Sequence, residues 1–159
     1  MFDVLLADDI GRGLRASNPQ TTDSVLTRLN GWVGGVSVKL DRTDRLGDGV
    51  MLEPMRREGR EITVAGAITL DTPAEAWALE RYISGLFTGR GLGVITVTQD
   101  GAALTAAVQL DGTVKLATHI DPDPAVEWEI PVYAPDPHLY GPARTMQLRP
   151  VDTGAGFVW

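Results

Sequence analysis

The chain has 159 residues, enough for one domain that buries about 70% of its unfolded surface and needs no covalent staple. Its 14 Lys and Arg against 21 Asp and Glu give a net charge of −7, which excludes the clustered cationic surface of a nucleic-acid binder. It has no cysteine, so disulfides and thiolate metal sites are excluded, and no window approaches the ~18 apolar residues of a membrane helix.

The opening "MFDVLLADDIGRG" has no basic n-region and only a short apolar run, so it is not read as a signal peptide. A soluble protein made and kept inside a cell, or assembled there, is expected. "FDVLLADD" reads as a strand whose Asp8-Asp9 end turns outward. "GRGLRASNPQTTDS" reads as a loop or flexible arm, from its Gly, Ser, Thr and Asn content. "VLTRLNGW" is ambiguous, whereas "VSVKL" alternates like a half-buried strand. Residues 41–60, "DRTDRLGDGVMLEPMRREGR", read as a long mixed-charge loop, a length more often functional or interfacial than idle.

"EITVAGAITL" is a strand with Ile62, Val64, Gly66, Ile68 and Leu70 on one face, Gly66 marking a bulge or a close approach. "DTPAEAWALERYISGLFTGRG" is a helix. Thr72 and Glu75 make a capping box and Pro73 suits the first turn. Ala76, Leu79, Ile83 and Leu86 form the apolar stripe, and Gly89 or Gly91 ends it. Then "LGVITVTQ", "ALTAAVQL" and "TVKLATHI", separated by Asp100-Gly101 and Asp111-Gly112, predict two type I′ hairpins and a three-strand meander. "DPDP" (121–124) is a stiff turn before "AVEWEIPV", where Val126, Trp128, Ile130 and Val132 face the core. "TMQLRPVDTGAGFVW" is an edge strand or the start of something further. The sum is a mainly β, α+β domain of about seven strands: an antiparallel sandwich or split barrel with one flanking helix.

Chemistry of the catalytic kind finds little support. His119 and His138 are the only histidines, and a zinc site would need both plus Asp121 or Asp136. No serine (Ser17, Ser24, Ser37, Ser84) sits in a nucleophile elbow, and the Gly-rich "GRGLGV" and "GRGLRA" lack P-loop spacing. The carboxylate pairs Asp8-Asp9, Asp121/Asp123 and Glu127/Glu129 read as solvated or turn residues. No cofactor and no enzymatic activity are expected. Arg42, Arg45, Arg56, Arg57 and Arg60, interleaved with acids, form either a solvated loop or a subunit contact in which opposite charges fix register.

"LNGWVGG" before a strand, "GREITVAGAI" as a strand, a following helix, and the ending "EWEIPVYAPDPHLYG" together resemble the distal tail proteins of siphovirus-type phages, also described as phage minor tail proteins. The resemblance runs over residues 29–141. It implies a ring-forming, tail-tube-like N-terminal domain at 1–141, with 142–159 a C-terminal extension or a linker to a second, outward-facing domain. It further implies a virion protein, assembled in the bacterial host cytoplasm, that forms a hexameric ring at the tail tip. There it joins the major tail-tube protein to the tip hub and receptor-binding apparatus, close to the tape measure protein. Two other readings are a tail-tube or tail-terminator subunit, and a carbohydrate-binding β-sandwich module. The module needs exposed aromatics, and Trp32, Trp77, Trp128 and Trp159 are scattered.

The most specific stretch is the elbow of Pro135, Asp136, Pro137, Tyr140 and Gly141. Pro131 has no N–H to donate and belongs at an edge or a non-pairing position. Pro135 and Pro137 fix φ and hold Asp136 rigidly, with Tyr140 folding back on the domain.

Overall fold

The computed structural model describes residues 2–18, 24–34, 38–39, 42–44, 50–52 and 56–142. In chain order these form β1 (Phe2–Ala7), β2 (Gly13–Asn18), β3 (Ser24–Asn30), β4 (Val38–Lys39), β5 (Arg42–Asp44), β6 (Val50–Leu52), β7 (Arg56–Arg57), β8 (Arg60–Thr69), α1 (Pro73–Ser84), β9 (Gly93–Gln99), β10 (Ala102–Leu110), β11 (Lys115–His119) and β12 (Ala125–Ala134). The β-rich content with one helix is as the sequence predicts.

The strands run β10-β9-β1-β2-β3-β8-β12-β11. β12 also pairs back to β10, through Gln109↔Tyr133 and Leu110↔Val132. The sheet therefore closes into a seven-stranded barrel with β11 as an outrigger, which corrects the expected sandwich or split barrel. Closure pairs off the edges of the barrel strands, while β11, paired with β12 alone among the described residues, keeps an outer edge. Its agent is the ten-residue β12, long enough to serve two neighbours along one side. β11 pairs with residues 125–129 of β12 and β10 takes over at 132–133. Pro131 stands at the changeover. Its carbonyl accepts from the Asp111 N–H at 3.0 Å, so its missing N–H also faces this gap, where no ladder bond is lost.

The same changeover explains why the predicted meander fails. Asp100 and Gly101 have φ of 50° and 84°, as a type I′ turn requires, and β9–β10 is the expected two-residue hairpin. At the second site Gly112 has positive φ but Asp111 does not. The chain leaves β10 there, and β11 pairs β12 instead.

Other expectations also shift. The "loop or flexible arm" contains β2, paired along its whole length with β1, and its 19–23 portion lies outside the described residues. "VLTRLNGW" resolves into β3, which meets β2 in parallel at Ser17↔Val25 alone and β8 antiparallel, with a bulge between Leu26 and Arg28. Of "VSVKL", Val38 and Lys39 are described, as β4. The "long loop" is a β-ribbon: β4 pairs β7 and, nested inside, β5 pairs β6. Among the described residues these four strands pair only with each other, as an arm outside the barrel.

The core is continuous from barrel to helix. Val4, Leu6, Ile62, Val64, Ile95, Val97, Val108, Val126, Ile130 and Val132 are all essentially inaccessible; Ala76 and Ile83 join them from α1, and Leu86 from the turn just after it. Thr72 and Glu75 form the capping box. The helix ends earlier than predicted, at Ser84 with Gly85 as its cap. Gly89 and Gly91 instead lie under the Asp9 carboxylate, where a Cβ would fall 2.2 Å and 2.7 Å from its oxygen.

Gly66 is a close approach. It pairs with Trp128, and a Cβ there would sit 2.5 Å from the indole ring and 2.7 Å from the Val25 carbonyl oxygen.

Candidate functional site: the arm base and the proline elbow

Strand polarity separates the barrel's two ends. Helix α1, the β1–β2 turn and the start of β9 share one end. The ends of β3 and β12, the start of β8 and the arm share the other.

The helix end is held by a buried carboxylate. Asp8, expected to turn outward, is 5% exposed. Its Oδ1 accepts from the N–H groups of Ile10 (3.1 Å) and Arg12 (2.9 Å), and its Oδ2 accepts from Arg12 Nε at 2.8 Å. Arg12 Nη2 donates onward to the Gly85 carbonyl at 2.6 Å, pinning the helix C-terminus. Burial pushes the Asp8 pKa up, but the Arg12 and backbone hydrogen bonds outweigh it and the net shift is downward. This carboxylate is structural.

At the arm end, three motifs far apart in the chain converge. Gly31 of "LNGW" has φ of +75°, and a Cβ on it would lie 1.9 Å from the Glu61 carbonyl oxygen, so the backbone there excludes any side chain. Gly59 of "GREI" packs less closely, but still too closely for a side chain, on the Ala134 carbonyl oxygen and the Tyr133 hydroxyl, each 2.4 Å from a Cβ built there. Arg60 ties the two together. Its Nε donates to the Pro137 carbonyl at 2.7 Å and its Nη1 to the Trp32 carbonyl at 2.8 Å. One guanidinium thus joins the end of β3, the start of β8 and the elbow, using the fork geometry that distinguishes Arg from Lys.

The elbow is organised around Asp136. Its Oδ1 accepts from the His138 N–H at 2.9 Å and contacts His138 Nδ1 at 2.6 Å, and its Oδ2 accepts from the Tyr140 hydroxyl. These bonds, from Tyr140 first and then His138, lower the Asp136 pKa to about 2, and Asp136 in turn raises that of Tyr140. The Tyr140 backbone rejoins the barrel by exchanging both hydrogen bonds with Thr105 of β10, at 2.8 Å and 2.9 Å. Residues 135–139 are therefore a detour between two stretches paired to β10. Tyr140 folds back as the sequence predicts. Pro137 is buried and Pro135 and Gly141 are exposed.

The five arginines part company. Arg57 lies on the returning arm strand, its Nη1 3.0 Å from His138 Nε2. Arg42 and Arg56 are placed in the ribbon by their backbone pairing to Leu52 and Lys39. Arg45 lies outside the described residues, as do 143–159 with Trp159. Only Arg57 and Arg60 meet at the elbow among those described. Gly31, Gly59, Trp32 and Thr105 also build this site and were not singled out as site residues. The two glycines carried a signal in the motifs "LNGW" and "GREI". Thr105 carried none.

Elsewhere, Glu129 is paired with Arg28 and with Lys115 (2.7 Å), while Glu127 and His119 are both mostly exposed. Asp121, Asp123 and His119 do not gather into a metal-ligating group among the described residues. Trp32 and Trp128 are buried at 4% and 3%, leaving Trp77 as the exposed tryptophan among those described.

No protein-family model and no curated protein matches the chain in sequence. Solved structures do. The Dit protein of phage SPP1, described as a paradigm of the hub adsorption apparatus in phages infecting Gram-positive bacteria, matches with a TM-score of 0.62 at 18% identity, over 89% of this chain and 53% of its own. The phage P2 baseplate in its activated conformation matches in its calcium form at 0.58 and 8% identity, covering 82% of this chain and 42% of that one. Its strontium form matches at 0.61 and 7%, covering 83% and 43%. The chain spans about half, or less, of the length of these proteins. Its closed barrel with one flanking helix is the fold that it shares with these phage hub and baseplate proteins.

Proposed function

We propose that the chain is a structural subunit of the phage tail tip, forming a hexameric ring that joins the last tail-tube ring to the hub and receptor-binding apparatus. It acts by assembly and not by catalysis. Its partners are other copies of itself, the major tail-tube protein, the tip hub and, in the lumen, the tape measure protein. It is made in the bacterial host cytoplasm and resides in the virion.

The observation that carries this reading is the match of barrel and helix to the SPP1 Dit protein over 89% of the chain. The arm adds to it. Isolated two-stranded ribbons are marginal in water, so a ribbon pairing with nothing else among the described residues reads as a segment that docks on a neighbour. Arg42, Arg45, Arg56 and Arg57 then become its candidate contacts, and Arg60 anchors its base within the chain.

Copy number tests the assignment. Quantified per particle against the major tail-tube protein, the chain is expected at six. A multiple of six stacked along the tail would assign it to the tube, and glycan binding by the isolated chain would favour a carbohydrate module.

A further inference from the structure

The contact between the arm and the elbow passes through one histidine, and its geometry fixes where the proton sits. A guanidinium has five N–H donors and no acceptor. With Arg57 Nη1 at 3.0 Å, His138 Nε2 must offer its lone pair, so the ring proton is on Nδ1. That places an N–H against Asp136 Oδ1 at 2.6 Å, where a carboxylate accepts it. The chain Arg57–His138–Asp136 is consistent in donors and acceptors with His138 neutral, and with that tautomer alone.

We propose that His138 is a proton-operated latch between the arm and the barrel, holding the returning arm strand when neutral and releasing it when protonated. Protonation puts a hydrogen on Nε2. The lone pair that accepted from Arg57 is consumed, and two cations face each other instead. The Nδ1–H bond to Asp136 survives and strengthens, so the elbow stays closed while the arm is freed.

The charged groups around the ring come from three elements. Asp136 on the elbow contacts Nδ1 and Arg57 on β7 contacts Nε2. Tyr140 holds the second Asp136 oxygen and does not touch the ring. Arg60 of β8 is engaged by the Pro137 and Trp32 carbonyls, and Glu58 and Glu61 line the same open depression beside Arg57. The ring is about half exposed, so protons reach it without unfolding, and histidine is the side chain suited to switching near neutrality. The proposal needs no second copy and is independent of the ring assignment.

The test uses the full chain. Long-range proton–nitrogen NMR on His138 at about pH 8 is expected to show the Nδ1–H tautomer. Amide exchange, expressed as protection factors, is then compared at about pH 8 and about pH 5. Protection of the β4–β7 ladder should fall roughly fivefold on acidification, the equivalent of one exposed hydrogen bond, while protection at Tyr140 holds. His138→Gln retains an acceptor for Arg57 and should abolish the pH dependence. Arg57→Leu should show the acid-level protection at both pH values. An Nε2–H tautomer, an arm unprotected at both pH values, or an unchanged pH dependence in His138→Gln would each overturn the proposal.

Discussion

At the scale of single residues, Arg60 does what no neighbour can replace. Its two strong bonds go to main-chain carbonyls, so truncation orphans acceptors in two segments at once. Arg60→Ala is expected to lower stability by about 2–4 kcal/mol, from two charge-assisted bonds. Arg60→Lys should restore only part, because an ammonium cannot span the fork. Chemical denaturation of the variants measures both. Gly66 makes a complementary case: Gly66→Val should cost about 1–3 kcal/mol through the clash with Trp128, and more if strand β8 cannot give way. Asp136 supplies a pH dependence. Its folded pKa lies below the ordinary value, at about 2, so its contribution is complete above the unfolded carboxylate pKa of about 4 and disappears as pH falls from there towards about 2. Protection of the Tyr140 amide should fall through that window, and in Asp136→Asn it should be low throughout.

At the scale of elements, the helix is the clearest. Thr72→Ala removes the capping-box hydroxyl and should cost about 1 kcal/mol. Ile83→Ala opens a cavity in the shared core and should cost about 2–5 kcal/mol, both read by thermal or chemical unfolding. The helix, β8, the β9–β10 hairpin and β12 were all legible because each is coded locally: a cap three residues from its partner, alternation at period two, Asp-Gly where both φ values are positive. The failures have a common cause. Asp111-Gly112 carries the same local signal as Asp100-Gly101, yet β10 is already committed to β12 and the Asp111 N–H to Pro131. Residues 41–60 read as a loop because their charged residues mask a short nested ribbon, whose outer pairing, Val38 with Arg57, spans 19 positions. Asp8 reads as solvated because its partners, above all Arg12 reaching to Gly85, are assembled only in the folded chain.

At the scale of the whole molecule, barrel closure is the feature least visible in the sequence. It depends on residues 132–133 meeting 109–110 after the sheet has wound fully round, and no local pattern announces such a contact. Its consequence is polarity. One end is sealed by α1 and the Asp8–Arg12 clasp; the other carries the arm, the Arg60 junction and the elbow. The sequence did reveal that junction's parts, since "LNGW", "GREI" and "APDPHLYG" are the segments that meet there, although their meeting was not foreseen. The proposed ring requires an arm that reaches a neighbour, and the ribbon is rooted at one end of the barrel. The direct measurement is an electron cryomicroscopy map of intact tails. The account predicts six copies in one ring at the tip, the 38–57 arm of each in contact with another chain. A map with the chain elsewhere in the particle, or with every arm free in solvent, would contradict it.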